Sequence, residues 1–344
     1  MSEHSLAEIV AHLQAAPAWQ RKRELDVLAD GMLSLAPLVE GVPVPLGDDT
    51  AVIELSEGNP WPREHPGSGQ ALLLATEVIY PPLVEANPYL AGRSAVLANV
   101  NDVYAMGGRP LAIVNTILAP NTTIAAEILR GLRDGCERYG VALVGGHLTA
   151  TGAVTSVSAC ILGRAKHVLS SFNARPDDAI LHVVNLRGEF HPRFPFWDCS
   201  AHLSDADLRR DLELLPAIAE AGWCDAARDI SMAGILGSLM MILELSGVGA
   251  VVDMGAIPQP PAADERYFDW LLGFPSYGFI LCVRPQHVAA VREIFARHAI
   301  SCATIGKVTS DPRVMLCRDD DRALLRDLER ESFMGIAPER IAGR

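Results

Sequence analysis

Two domains of the α+β class are predicted, on three observations. The chain has 344 residues, 49% of them hydrophobic, enough for more than one core. Segments of helical and strand period alternate irregularly, without the strict strand–helix–strand order of a doubly wound sheet. The strand-like runs fall into two sets, and the polar stretch Ser170–Asp178 between them reads as a link. The expected boundaries are 1–169, an N-terminal domain with a helical extension at its start, and 170–344, a C-terminal domain.

The elements follow in order. Helical periodicity runs through residues 5–15 and about 18–35. Strands are predicted at Ala51–Leu55, Ala71–Ile79, Leu111–Ile117, Val141–Val144 and Val154–Leu162. Between them lie helices at Pro88–Met106, with Asn87 as cap and Pro88 in the first turn, and at Thr122–Tyr139, stopped by Gly140. The second half restarts with a strand at Ala179–Leu186. Helices at about Ser204–Ala221 and Ser231–Leu245 and strands at Ala250–Met254, Tyr277–Val283, Ala303–Val308 and Val314–Cys317 are expected, with a helix at Pro285–His298. Glu57–Gln70 and Arg187–Ser204 read as loops, and no period of 20–50 residues recurs.

Charge narrows the partners. Acids outnumber bases 42 to 29, a net charge of −13, and both nucleic acid and anionic membrane want a basic footprint. No apolar run reaches the length of a membrane span. The N-terminus MSEHSLAEIVAHLQ lacks the basic and apolar regions of a secretion signal. The seven cysteines form no CxxC pair and sit mostly in apolar runs, as reduced small hydrophobes do. A cytoplasmic location is expected. Lys22, Lys166 and Lys307 are the only lysines, so a side-chain phosphate clamp would be arginine.

The segment Leu97–Ala112, LANVNDVYAMGGRPLA, is the most informative. Asn99 and Asp102 are three apart and share a helix face, and Gly107-Gly108 can end that helix. Other pointed segments are Gly47-Asp48-Asp49-Thr50-Ala51-Val52, Gly145-Gly146-His147-Leu148-Thr149 and Asp229-Ile230-Ser231. Mg²⁺ takes hard oxygen ligands, one or two carboxylates with phosphate oxygens and waters, and Asp48, Asp49, Glu77, Asp102 and Asp229 could supply them. Each has an ordinary reading alone: Asp48-Asp49 as a solvated turn, Asp102 as helix surface, Asp229 as a helix cap. His147 reads equally as a hydrogen-bonded loop histidine. No GxxxxGK[ST] is present, so a P-loop is not the phosphate cradle. Backbone N–H groups at Gly107-Gly108, at Gly145-Gly146 and at the start of the helix from Ser231 could serve instead. Gly234 and Gly237 within that helix suit either a segment that adjusts around ligand or tight packing.

Taken in order, these segments resemble the aminoimidazole ribonucleotide (AIR) synthase-related superfamily, which includes thiamine-monophosphate kinase and selenophosphate synthetase. Gly47–Ala51 is similar to its GDD-A segment, Asn99–Gly108 to its N-x-x-D-x-x-AMG helix, Gly145-Gly146-His147 to the GGH form of selenophosphate synthetase, and Asp229-Ile230-Ser231 to its D-[IV]-S segment. The likeness extends over nearly the whole chain, to Tyr277–Val283 and Thr304–Val308. It implies ATP and Mg²⁺ as cofactors, with metal ligands among Asp48, Asp49, Glu77, Asp102 and Asp229. It implies ATP contacts at Asn99, Asp102, Gly107, Gly108, Gly145, Gly146 and Thr149, with His147 as the candidate general base. It also implies an AIR synthase-like fold: an N-terminal sheet domain pairing into a barrel in a homodimer, and a C-terminal α/β sandwich.

Individual activities fit less well. The first cysteine is Cys136, whereas selenophosphate synthetase uses a reactive N-terminal Cys or selenocysteine; the chain ends in Arg344, whereas the hydrogenase maturation factor ends in Cys. Gly145–Thr149 departs from the GGE-T motif of AIR synthase, and Met232 stands where thiamine-monophosphate kinase has an acid. The form DISMAGILG resembles an uncharacterised branch. Arg187–Asp198 crowds four aromatics, two arginines, His191 and two acids into twelve residues. It reads as a loop folded back on its own rings or as an acceptor pocket, with Arg193 for an anion and Phe194, Phe196 and Trp197 for a ring. The expected function is Mg-dependent phosphate transfer from ATP to, or activation of, a small-molecule acceptor. The alternative is a catalytically silent nucleotide-binding or regulatory protein.

Overall fold

The computed structural model describes residues 4–25, 27, 47–54 and 71–335. Two compact units are present: residues 49–168 with 204–220, and residues 1–48 with 169–203 and 221–344. The units therefore do not follow the two halves of the chain. The N-terminal helix Leu6–Ala15 belongs with the later strands, and residues 204–220 belong with the earlier ones.

The first unit holds a five-stranded sheet of β1 (Ala51–Glu54), β2 (Ala71–Val78), β3 (Arg109–Leu118), β4 (Ala142–Thr149) and β5 (Ser156–Ala165), ordered β1-β2-β5-β3-β4. All neighbours are antiparallel except β3 and β4, which are parallel. Helices Pro88–Ala105 and Thr122–Tyr139 pack together and against this sheet. Their ends follow the sequence: the Asn87 side chain accepts from Leu90 N–H, the Asn121 side chain from Ile124 N–H, and Gly140 is left-handed at φ 71°. The expected helix over 204–221 is two helices, Asp205–Leu212 and Leu214–Glu220. Pro216 cannot donate, and its ring crowds the carbonyl of Leu212, which ends the first helix there. Arg109 ties this pair to the sheet, 2.7 Å from Glu213 and 2.5 Å from Glu220.

The second unit is built on seven strands: β6 (Ala179–Val184), β9 (Ala226–Asp229), β10 (Gly249–Asp253), β12 (Gly278–Val283), β13 (Ser301–Thr309), β14 (Arg313–Arg318) and β15 (Asp321–Asp327). Their order is β15-β14-β10-β13-β6-β12-β9. The helix Gly234–Ser246, buried almost throughout, packs on β9, β10 and β12. The predicted loop Arg187–Ser204 contains two short strands, β7 (Glu189–Phe190) and β8 (Phe196–Asp198), which with β11 (Phe274–Pro275) form a three-stranded sheet. Leu6, Ile9 and Leu13 bury one face of the N-terminal helix against β14 and β15, and Ser5 with Glu8 closes a capping box at its start. The helix expected over 18–35 begins as Pro17–Gln20 and a 3₁₀ turn Arg21–Glu24; most of the rest, the loop Glu57–Gln70 and the C-terminal Ile341–Arg344 lie outside the described residues. No helix among the described residues is long and apolar enough to cross a membrane.

Candidate functional site

In the first unit Asp49 and Asp102 come together. Each offers a carboxylate oxygen within 4.8 Å of the other's. Asp102 reaches this place from near the C-terminal end of its helix, whose small residues Ala91 and Ala95 are fully buried. Asp49 stands in the turn just ahead of β1. Asn99, fully buried on the same helix, donates from Nδ2 to the Ala95 carbonyl at 2.8 Å, while its Oδ1 has no hydrogen-bond partner among the described residues. The buried Thr50 hydroxyl, next to Asp49, likewise has none. The paired carboxylates offer oxygen donors only, and the unpartnered atoms on the same helix and next to Asp49 are also oxygens, a chemistry that fits a hard divalent cation such as Mg²⁺.

The other candidate residues take varied places. Asp48 is engaged within the second unit: its Oδ2 accepts from Ser170 Oγ at 2.6 Å and its Oδ1 from Ser171 N–H at 3.1 Å. Glu77 lies one residue before the end of β2, exposed, on the face shared with buried Leu73 and Ala75. Asp229, 7% exposed, ends β9 in the second unit, opposite Phe279 of β12. It does not cap the following helix, which begins at Gly234 rather than Ser231. The displacement has a backbone cause: Ala233 and Gly234 are both left-handed, at φ 90° and 70°. Ser231 N–H is taken by Ser238 Oγ at 3.1 Å, so it is not a spare donor.

Gly107 and Gly108 are buried, and their N–H groups donate to the Tyr104 and Val103 carbonyls at 2.9 Å each. These donors end the Asp102 helix. Gly145, Gly146, His147 and Thr149 belong to β4, so His147 is a strand residue and not a loop residue. Gly146 has to be glycine, since a Cβ there would come within 2.6 Å of the Asn115 carbonyl. The His147 ring Nε2 lies 3.3 Å from Thr149 Oγ1, and a groove of about 560 Å³ runs along Gly145–Leu148 beside Thr122, Ala125 and Leu129. Gly234 and Gly237 are explained by packing. A Cβ on Gly234 would fall 2.0 Å from the Leu271 carbonyl, and one on Gly237 2.4 Å from the Ala233 methyl.

In the Arg187–Asp198 segment Arg193 is exposed, its guanidinium 5.7 Å from the Phe194 ring centre. Trp197 is 2% exposed, donates its indole N–H to the Asn185 carbonyl at 3.0 Å, and packs edge-on against Phe190 and Trp270. A ring so enclosed builds the platform rather than its outer surface. Residues that sequence reasoning did not single out are Thr50, inside the GDD-A motif itself, and Trp19, which has no local signal.

Residues 47–165 match the AIR synthase related protein N-terminal domain, and residues 187–316 match its C-terminal domain. The chain belongs to the AIR synthase-related family. An uncharacterised protein of Synechocystis sp. is 34% identical over 332 residues, 96% of this chain and 98% of its own. The selenide, water dikinase of Yersinia pseudotuberculosis is 27% identical over 76% of this chain and 82% of its own. The thiamine-monophosphate kinase of Synechococcus elongatus is 28% identical over 83% and 89%. Among solved structures, T. maritima PurL complexed with ADP superposes with a TM-score of 0.66 at 20% identity, covering 85% of this chain and 46% of the PurL chain. The present chain thus spans about half of PurL. AaThiL complexed with AMPPCP and TMP gives a TM-score of 0.62 at 18% identity, covering 85% and 93%. The two structures share the fold.

Proposed function

We propose that this protein is a Mg-dependent, ATP-using enzyme that transfers phosphate to a small-molecule acceptor or activates it by phosphorylation. The observation that carries the proposal is the close pair Asp49 and Asp102, with buried oxygens on the neighbouring Asn99 and Thr50 that have no hydrogen-bond partner among the described residues. Two carboxylates this close repel unless a cation lies between them. Asp229 is included as a ligand on the likeness of its motif, and Glu77 as an outer acid. Asp48, already held by Ser170 and Ser171, serves to anchor the segment.

Bound Mg²⁺ would neutralise phosphate charge and fix the phosphates for in-line transfer. Asn99 with the β4 backbone at Gly145, Gly146 and Thr149 would seat the nucleotide, and Gly107-Gly108 would set the end of the helix that carries Asn99. His147, beside Thr149, would take the acceptor proton. Arg193 and Phe194, on a platform framed by Trp197, would bind the acceptor. A homodimer formed through the five-stranded sheets, in the cytoplasm, completes the proposal.

Calorimetry of Mg·ATP binding tests it. Asp102→Ala and Asp229→Ala should each weaken affinity by at least 30-fold, on the order of 2–5 kcal/mol, as when one partner leaves a buried charge cluster. Unchanged affinity would overturn the assignment. Tight binding with no ADP release against any acceptor in a metabolite panel would instead establish a silent nucleotide-binding protein.

A further inference from the structure

The turn between Asp229 and the helix Gly234–Ser246 is unusual for its residue types. Ala233 is fully buried and left-handed at φ 90°, a conformation that its Cβ disfavours, and Gly234 follows at φ 70°. Hydrogen bonds fix the path on both sides: Ile230 N–H to the Gly278 carbonyl at 2.9 Å, Ser231 N–H to Ser238 Oγ at 3.1 Å, and Gly234 N–H to the Ser231 carbonyl at 2.9 Å. The Ala233 carbonyl itself accepts from the indole N–H of Trp19, 3.0 Å away and more than two hundred residues earlier in the chain.

Trp19 is firmly held. It is 3% exposed and meets the Phe333 ring edge-on, 5.1 Å between centres. The Phe333 and Met334 N–H groups are in turn fastened to the Glu244 carboxylate at 2.9 and 2.8 Å. The segment carrying Trp19 precedes residue 47, where the matched family domain begins. If Ala233 relaxed to a right-handed or extended conformation, the indole and the carbonyl would both be buried without a partner, and the chain leading back to Asp229 would be re-aimed.

We infer that Trp19 is a positioning residue, whose indole N–H holds the left-handed Ala233 turn and through it the direction of the Asp229 carboxylate. The inference rests on the reading of Asp229 as a metal ligand. It gives the N-terminal helical segment a function in ligand binding that its distance from every nucleotide motif conceals.

The test replaces Trp19 by Phe, which keeps a ring and removes the donor, and by 3-benzothienylalanine, which keeps the size of the indole without its N–H. Mg²⁺ is titrated in the presence of ATP, and amide exchange over Ile230–Gly234 is followed in the same proteins. Both variants should lose affinity for Mg²⁺ by about tenfold, the scale of one lost hydrogen bond, and exchange faster across the turn. Adding Ala233→Gly should restore both, because glycine takes this φ without support. Wild-type affinity with unchanged exchange, or loss that glycine does not restore, would overturn the inference. A wild-type protein that binds no Mg·ATP would overturn the metal reading alone; the exchange data would then decide whether Trp19 holds the turn.

Discussion

Ser170 Oγ donates to Asp48 Oδ2 at 2.6 Å, and this contact separates the duties of two adjacent aspartates. Asp48 also takes the N–H of Ser171, a fully buried residue whose hydroxyl accepts from Arg228 at 3.2 Å. Arg228 reaches the Gly47 carbonyl at 2.9 Å, so Gly47 and Asp48 are both anchored within their own unit. Asp49, the next residue, lies in the close carboxylate pair with Asp102.

Opposite effects on stability follow for the two aspartates. Asp48→Ala leaves the Ser171 N–H buried and unsatisfied, and should cost about 1–3 kcal/mol in urea unfolding without metal. Asp49→Asn removes a like charge from beside Asp102, and should leave the metal-free protein as stable or slightly more so. Mg²⁺ with ATP should then raise the unfolding temperature of Asp48→Ala but not of Asp49→Asn. Equal destabilisation by both changes would show that the two residues share one role.

Much of this was legible in the sequence, and the limits have physical causes. The Pro88 and Thr122 helices were readable to within a residue because Asn-Pro, Asn-Thr and Gly140 are local signals whose chemistry is complete within one turn. Asp102 could be placed on the helix face it shares with Asn99 by the three-residue spacing alone. The start of the helix at Gly234 could not, because nothing local in Ser231-Met232-Ala233 forces a left-handed residue; the forcing contact comes from Trp19. Strand β9 was hidden for a similar reason. Ala226–Asp229 contains two alanines and two charged residues, and it forms a strand because Phe279–Cys282 pairs with it. The burial of Trp197 was equally invisible, since its covering residues Phe190 and Trp270 are brought in by the three-stranded sheet.

His182 sets a limit on acid stability. It lies on β6, fully buried, with neither ring nitrogen hydrogen-bonded among the described residues. It faces a small cavity lined by Phe190, Trp197 and Trp270, and by Asp269, which is paired with Arg266 at 2.7 Å. Burial pushes its pKa down from 6.5 to about 3. Between those values the unfolded chain binds the proton and the folded chain does not, so stability falls as pH drops from 6.5 towards 3 and levels off below. The full loss is on the order of 5 kcal/mol. His182→Leu, which fills the site with an apolar group, should move the midpoint of acid unfolding to lower pH and leave neutral stability equal or higher. Superimposable acid-unfolding curves would show that another group triggers the transition.

The open face of the five-stranded sheet leads to the last prediction. Leu74 and Val78 on β2 and Val114 and Leu118 on β3 are 40%, 62%, 42% and 37% exposed, on the side away from the two long helices. Between them β5 supplies Cys160 and Leu162, in register with Val114 and with Leu74. Exposed apolar residues gathered on one sheet face, interrupted here by Thr76, Thr116, Ser156 and Ser158, mark a surface suited to a partner. Strand β4 is at the edge of the sheet among the described residues, pairing there with β3 alone, and an edge of this kind can accept a further strand. A second copy of the chain would cover both. Light scattering at micromolar concentration should therefore give a dimer mass. Val114→Glu sets a charge at the middle of the patch, and burying it unpaired should weaken association by at least about 3 kcal/mol, more than a hundredfold. That variant should run as a monomer with unchanged circular dichroism, because Val114 contributes little to the core of its own unit. A wild-type monomer at the same concentration would refute the dimer, and a dimer untouched by Val114→Glu would move its interface to another surface.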